Sequence, residues 1–393
     1  MRIIELFAGI GACSKALAKL DIKHEVVDAV EIDKYAIKSF NAIHNTNFEP
    51  QDITKWDKDV KDIDLIMHGS PCQDFSVAGN QAGGDLGSGT RSSLMYETIR
   101  IVGKIRPKYV VWENVKNIMS AKHKHNFDKY IDTLNTLGYN SYYQVLNAKD
   151  YGIAQNRERV FTVSIRKDID NEEFVFPEKI SLKLRLRDFL DEYVDEKYYL
   201  KNEKITKIEN SNFMQERKMI QEKDYCDTLL ARDYKDPKCV RVGGIFDTET
   251  THHQAGSVYD SNGLAPTLDT MQGGWRQPCI EENEGQSGLI QPIDRKYKEH
   301  NKQREEHIEF KNDNCSHSLR TSVLPVVCNK YRIRKLTPRE CWRLMGFSDL
   351  DFEKAMKVPT SNTQLYKQAG NSIVVNVLEE IFRNLFREEM KDE

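Results

Sequence analysis

The first 165 residues alternate short strand-like runs with helix-like segments, and the first strand runs straight into a glycine-rich turn. Residues 2–7 read as an apolar strand that ends in Phe7-Ala8-Gly9-Ile10-Gly11. Residues 12–20 follow with Cys13, Ala16, Leu17 and Leu20 on one helical face. Strand character returns at 24–30, 64–68, 109–112, 141–146 and 160–165, and helical periodicity at 34–43, 92–105 and 127–137. Strands that alternate with helices build βαβ units, so an α/β fold is expected, with a largely parallel sheet and helices on both faces.

The character changes near Lys167. Residues 168–207 are highly charged, and glycine and polar residues dominate the irregular segments beyond. The stretches Cys226-Asp227-Thr228-Leu229-Leu230 and Ala265-Pro266-Thr267-Leu268-Asp269 agree at too few positions to make a repeat. Residues 299–314 are hydrophilic and read as a solvated loop or surface helix. Regularity returns near Arg334. Thr337 is placed to cap a helix with Pro338 in its first position, followed by Trp342, Leu344 and Met345, and Gly346 ends it. Residues 374–390 form an amphipathic helix carrying Val377, Leu378, Ile381, Phe382, Leu385 and Phe386.

Composition narrows the class. The 393 residues, 39% hydrophobic and 9% aromatic, suit a globular protein of about two domains. A net charge of −3 does not announce a nucleic-acid binder, although a basic cleft survives inside a neutral total. The eight cysteines are irregularly spaced, with no CxxC pair, so neither a disulfide framework nor a zinc site is expected. His252-His253 has no acid or cysteine at ligand spacing and reads as a plain loop, so no metal is expected. Met1-Arg2-Ile3-Ile4-Glu5 has no signal-peptide core, and no apolar run approaches the ~18 residues of a membrane span. The expected location is cytoplasmic, at the nucleoid.

The glycine turn after the first strand lets the backbone approach a ligand closely. It is not a GxGxxG, so dinucleotide binding is not favoured. Glu31 closes the next strand, where an acid bonds ribose hydroxyls, and Asp52-Ile53 closes the third, within reach of an adenine amino group. Further short motifs follow in order: Ser70-Pro71-Cys72-Gln73, Glu113-Asn114-Val115, Gln155-Asn156-Arg157-Glu158-Arg159, Pro338-Arg339-Glu340 and Gly370-Asn371-Ser372. Each alone is weak, but a chance match to the whole ordered set is very improbable.

The set resembles the DNA (cytosine-5) methyltransferases of prokaryotic or phage type, over about residues 1–166 and 333–388. The resemblance implies a Rossmann-like class I methyltransferase sheet and a smaller irregular target-recognition domain. The catalytic and cofactor-binding domain would hold 1–166 with 374–393, and the target-recognition domain with its hinge segments 167–373. S-adenosylmethionine is the implied cofactor, surrounded by Phe7, Gly9, Gly11, Glu31, Ile32, Asp52, Ile53, Pro71, Leu94 and Asn371. Two positions depart from the family pattern: Gln51 stands where glycine is usual, and Ile32 where an aromatic is often found. Neither change removes a hydrogen-bonding group.

Carbon 5 of cytosine is a poor nucleophile, and addition of a thiolate to carbon 6 makes it enamine-like. Cys72 is the candidate nucleophile, on a loop after the 64–68 strand that Pro71 restricts. Glu113, read as a loop residue beyond 109–112, suits a proton donor to ring N3, since burial raises a carboxyl pKa. Asn114 holds that loop. Arg157 and Arg159 alternate along an extended segment and point the same way. By resemblance Arg159 bonds the cytosine O2, and Arg157 orients Cys72, Glu113 or a phosphate. The base must be flipped out of the duplex, at roughly a few kcal/mol. Gln73 and Ser76 would fill the vacated space or hold phosphate. Gly79, Gly83, Gly84, Gly87 and Gly89, with Gly69 just before, give 74–91 the composition of a mobile lid.

By resemblance the middle segment reads the target. Arg232, Lys235, Lys238 and Arg241 cluster near Tyr234, and 271–277 offers Arg276 with Gln272 and Gln277. Arginine pairs with guanine and glutamine with adenine in the major groove. The expected partners are double-stranded DNA and a cognate restriction endonuclease, with the chain acting as a monomer. Two alternatives stand beside this reading: an RNA cytosine-5 methyltransferase, separable by labelling duplex DNA and transfer RNA side by side, and a catalytically silent DNA-binding regulator. The presence of Cys72, Glu113 and Arg159 together counts against the second.

Overall fold

The computed structural model describes residues 1–71, 75, 83–85, 87–198, 258–260, 279–293, 307–310 and 326–387, with the backbone alone for the strands between 258 and 335. Six strands, β1 (Arg2–Leu6), β2 (Glu25–Val30), β3 (Leu65–His68), β4 (Tyr109–Val115), β5 (Tyr139–Asn147) and β6 (Glu158–Arg166), form one sheet in the order β2-β1-β3-β4-β6-β5. β1 to β4 are parallel, and β6 runs antiparallel to both β4 and β5. The chain winds outward in opposite directions from β1 and β3. The crevice at their carboxyl ends is therefore the topological switch point, where open α/β sheets bind ligands.

Period-two alternation divides the sheet residues between two faces. Ile3, Leu65, Met67, Val111, Phe161 and Val163 face one hydrophobic cluster; Ile4, Leu6, Ile66, Val110, Trp112 and Val160 face the other. On the first face lie α1 (Ala12–Lys19) and the last described helix, α8 (Val375–Leu385), whose Leu378, Ile381 and Phe382 are fully buried. On the second lie α3 (Met95–Ile105) and α4 (Lys124–Thr136). α2 (Lys34–His44) contributes Ile37 and Phe40 to a smaller cluster with Ala29. α8 is shorter than the 374–390 helix expected, and 388–393 lie outside the described residues.

β4 is longer than its apolar core. Pairing with β6 continues through Glu113 opposite Phe161 to Val115 opposite Arg159. Glu113 is thus a strand residue rather than a loop residue, because the antiparallel partner supplies hydrogen bonds beyond the apolar run.

Between 258 and 335, β7 (Val258–Asp260), β8 (Cys279–Ile293), β9 (His307–Phe310) and β10 (Val326–Lys335) form a four-stranded sheet, with β8 antiparallel to β9 and β10 and parallel to β7. β9 falls within the run expected as a loop or surface helix. Its His-Ile-Glu-Phe pattern alternates with period two, a strand signature too short to stand out in a charged stretch.

The remaining α-helices among the described residues are α5 (Pro338–Arg343), α6 (Asp349–Met356) and α7 (Asn362–Asn371). Leu336, Trp342, Met345, Phe352 and Leu365 pack in the same cluster as Ile3 and Leu65, as do Phe174, Leu186 and Phe189. α5 starts as its sequence dictates. The Thr337 hydroxyl accepts from Glu340 N, and the Glu340 carboxylate accepts from Thr337 N at 2.7 Å. Such a cap contributes about 1 kcal/mol. The other Glu340 oxygen accepts from Asp191 N at 2.8 Å, fastening 186–191 to the helix.

Gly11 is the tightest point near the switch. Its φ is +83°, and a Cβ there would lie 2.7 Å from His44 Cδ2 and 2.8 Å from Phe40 Cε2. His44 is half-buried, and desolvation of its ring pushes the pKa down to about 4, so neutral Nε2–H donates to Ile10 O at 3.1 Å. Gly11→Ala should destabilise the fold by about 2–4 kcal/mol, from overpacking plus left-handed strain. Thermal unfolding checks this, and an unchanged Tm would contradict the packing around the turn.

Candidate active site

The first half of the site is a backbone cradle. Phe7 and Gly9 both have positive φ, and Ala8 N donates to Val30 O at 3.1 Å, tying the turn to β2. Gly9 N donates to one Glu31 oxygen at 3.0 Å, and Asp33 N donates to the other at 2.8 Å. Burial raises the Glu31 pKa, and the two N–H donors oppose that rise. No atom lies within 4 Å of where a Gly9 Cβ would sit, so open space adjoins an oriented acid. These are the features that a ligand with hydroxyl groups requires. Ile32, next in the chain, leaves its side chain 71% exposed beside that acid.

Gln51 joins this cradle to the following turn. Its N–H donates to Glu31 O at 2.8 Å, and its Nε2 donates to Asp28 Oδ1 at 2.8 Å and to Ala29 O. Buried Asp28 also accepts from Trp56 Nε1 at 2.7 Å and pairs with Lys58 at 2.8 Å. The side chain that stands where glycine is usual therefore braces 51–58 against β2. Asp52 caps the turn Ile53–Lys55 through bonds from Thr54 N and Oγ1, which hold its carboxyl below the usual range. Ile53 is buried in the cluster against which Phe7 and Leu94 also pack. Asn371 is exposed at the end of α7.

The second half lies at the ends of β3 and β4. The buried Ser70 hydroxyl accepts from Trp112 Nε1 at 3.0 Å and from Asn114 Nδ2 at 3.3 Å. Asn114 is itself fixed, its Oδ1 accepting from Val115 N at 2.8 Å. Trp112 is held from below by His68, stacked at 5.8 Å between ring centroids and 12° between planes. Burial pushes His68 down to about 3, and its Nε2 lies 2.7 Å from the Tyr130 hydroxyl. Half-buried Pro71 follows Ser70 directly. Beyond the cysteine, Phe75 is fully buried, its carbonyl accepts from Asn117 Nδ2 at 2.6 Å, and its ring meets His123 edge-on at 5.4 Å.

Glu113 faces Arg159 across β4 and β6, with Oε1 3.0 Å from Nε. The contact is charge against charge rather than an aligned hydrogen bond, and Glu113 Oε1 has no hydrogen-bond partner. Arg157 occupies another position. It is buried, and its Nη2 donates to Gly370 O at 3.3 Å and Ser372 O at 3.0 Å. The next residue, Ile373, approaches Gly69, whose Cβ position is also 3.7 Å from Glu113 Oε2. Arg157 therefore binds the 370–373 turn against the catalytic edge.

A model of the C-5 cytosine-specific DNA methylases matches residues 1–387. The chain belongs to this family. The orphan methyltransferase M.SPBetaI of Bacillus phage SPbeta is 35% identical over 98% of this chain and 97% of its own. The type II methyltransferase M.HhaI of Haemophilus parahaemolyticus is 32% identical over 98% of this chain and 94% of its own. Among solved structures, the S. pombe Dnmt2 methyltransferase superposes over 99% of both chains with a TM-score of 0.58 at 16% identity, a likeness of fold. The reaction of this chain is methyl transfer to carbon 5 of cytosine in DNA.

Among the residues singled out in the sequence, Cys72, Gln73, Ser76, Arg232 and Arg276 lie outside the described residues, as does half of 74–91. Within the Gln155 to Arg159 motif, Arg159 meets Glu113. Gln155 Nε2 donates to Leu344 O at 2.8 Å, and Asn156 Oδ1 accepts from Asn147 Nδ2 at 2.7 Å. The hydroxyl of Ser70 was not picked out by the motif reading. Its signal was present, since a serine two residues before a candidate nucleophile can accept N–H donors from a tryptophan and an asparagine on the next strand. Ser70→Ala leaves both donors without this acceptor, a cost of about 1–3 kcal/mol. It should lower kcat roughly tenfold with little change in KM for DNA. Steady-state kinetics checks this, and an unchanged kcat would mean that the clamp does not position the loop.

Among the described residues, no group of His, Cys, Asp and Glu is arranged to hold a metal ion, and no helix is long and apolar enough to cross a membrane.

Proposed function

We propose that this chain methylates a flipped-out cytosine within a specific duplex sequence, with S-adenosylmethionine as methyl donor and Cys72 as nucleophile. The observation that carries the reading is the meeting of two sites on one sheet edge. The Gly9 and Glu31 cradle lies at the ends of β1 and β2, and the Glu113 and Arg159 pair lies beside the segment leading into Cys72. The cradle fits the donor: Glu31 would bond ribose hydroxyls, exposed Ile32 would cover one face of the adenine, and Gly9 leaves room for the ligand. Phe7, Gly11, Asp52, Ile53, Pro71, Leu94 and Asn371 would complete the surround. When bound, the donor supplies an electrophilic methyl group on a sulfonium.

Cys72 adds as a thiolate to carbon 6, which raises electron density at carbon 5. Glu113, a carboxylate beside Arg159 in the free chain, would share a proton with ring N3 once the base is bound, and that hydrogen bond stabilises the negative charge as it develops there. Arg159, held beside Glu113, donates to the cytosine O2. After transfer, loss of the carbon 5 proton to a base expels the thiolate and restores the ring. Ser70, clamped by Trp112 and Asn114, fixes the segment that presents Cys72. Arg157 contributes by position, through the Gly370 and Ser372 carbonyls. Gln73 and Ser76 fit the vacated stack or the phosphates, and the segment holding Arg232 and Arg276 reads the sequence. A cognate restriction endonuclease fits the type II relatives, whereas the orphan relatives point to a chain that works without one.

The test is expression in a host lacking cytosine methylation, with 5-methylcytosine mapped across the genome at base resolution. One methylated sequence motif is expected. An unmethylated genome with soluble protein present would overturn the reading.

A further inference from the structure

The ion pair between Lys367 and Asp33 joins two parts of the chain that the chemistry does not require to touch. Lys367 Nζ lies 2.6 Å from Asp33 Oδ2, with both side chains largely covered, at 29% and 20% exposure. Asp33 has further duties. Its Oδ1 caps α2, accepting from Tyr35 N at 2.8 Å and Ala36 N at 3.4 Å. Its backbone N–H donates to Glu31 Oε1 at 2.8 Å. A displacement of Asp33 therefore moves the donor that aims Glu31. Burial raises the Asp33 pKa, but the Lys367 contact and the cap outweigh it, so the carboxyl lies below its usual range.

The next residue of α7 grips the same place. Gln368 Nε2 donates to Tyr35 O at 3.0 Å and to Ser39 Oγ at 3.0 Å. Two successive side chains thus hold the first turns of α2. Just beyond them, the C-terminal end of α7 carries the Gly370 carbonyl and leads to that of Ser372, both bound by Arg157, and on to Ile373 beside Gly69. α7 thereby ties the acid of the cradle to the catalytic edge.

We infer that Lys367 is a positioning residue for the methyl donor: it fixes Asp33, and Asp33 fixes the carboxylate of Glu31 toward the ribose. The inference rests on the reading of Glu31 as a cofactor ligand. Charge and reach are both needed, so arginine should substitute and methionine should not.

The experiment measures KM for S-adenosylmethionine, KM for DNA, kcat and Tm for the full chain and for Lys367→Met, Lys367→Arg, Asp33→Asn and the double variant Lys367→Met with Asp33→Asn. Asparagine keeps the cap while removing the charge. Lys367→Met should raise KM for S-adenosylmethionine about fivefold, the effect of a partly covered ion pair. KM for DNA and kcat should stay within about twofold, since the pair touches neither. Lys367→Arg should restore the wild-type value, and the double variant should be no worse than the worse single. Losses shared equally by all parameters and tracking Tm would mean a merely structural tie and overturn the inference. Calorimetric titration with S-adenosylmethionine separates the two levels. No binding by the wild-type chain overturns the cofactor reading and the inference with it. Wild-type binding that Lys367→Met leaves unchanged overturns the inference alone.

Discussion

Cys72→Ala is expected to abolish methyl transfer while leaving duplex binding within a few-fold of the wild-type chain. Without the thiolate, carbon 5 keeps the low nucleophilicity of an aromatic ring carbon, and no other described side chain at this edge offers a comparable nucleophile. Removing a group that forms the covalent bond costs about 10³-fold or more in turnover. Binding draws on other contacts, chiefly with phosphates, which the substitution leaves in place. Transfer of a labelled methyl group to duplex DNA measures the first quantity and a gel-shift titration the second. Turnover above a few per cent would remove Cys72 as nucleophile. Loss of binding in parallel with turnover would instead assign it to the fold of the loop.

Much of the catalytic sheet was legible because its signals are local. Short, largely apolar runs at residues 3–6, 65–67 and 110–111 mark strands buried on both faces, and the glycine turn at 9–11 announces itself by composition. The capped start of α5 at Thr337 was equally local. The motifs directed attention to Glu31, Glu113 and Arg159, and the geometry brings the last two together. Contacts between distant segments were less legible. Arg157 alternates with Arg159 and looks equivalent in sequence, but its guanidinium donates to carbonyls more than two hundred positions away. Lys367 is one lysine among many until folding sets it against Asp33. The extension of β4 through Glu113 depends on a partner strand, which a window on one strand does not contain.

Glu113→Gln is expected to lower kcat by about 10²–10³-fold, with KM for DNA changed little. A positioned proton donor contributes about 10²–10⁴-fold, and an amide of the same shape still offers a hydrogen bond but cannot hand over a proton in the same way. The substitution also reaches Arg159. Its Nε sits 3.0 Å from Glu113 Oε1 with both side chains mostly covered, so a neutral partner leaves the guanidinium less compensated. Two effects are therefore mixed in the single variant, and Arg159→Met separates them. If Arg159 serves only to hold Glu113, the double variant should match Glu113→Gln alone. If Arg159 also bonds the cytosine O2, the double variant should lose more, and the extra loss should appear in kcat/KM for DNA. Trapping on duplex DNA carrying 5-fluorocytosine adds a readout that does not require turnover, because fluorine at carbon 5 cannot leave as a proton. Slow formation of the trapped complex by Glu113→Gln would place its contribution at the addition step. A wild-type rate of trapping and of turnover would remove Glu113 from the chemistry and leave the ion pair as a structural contact.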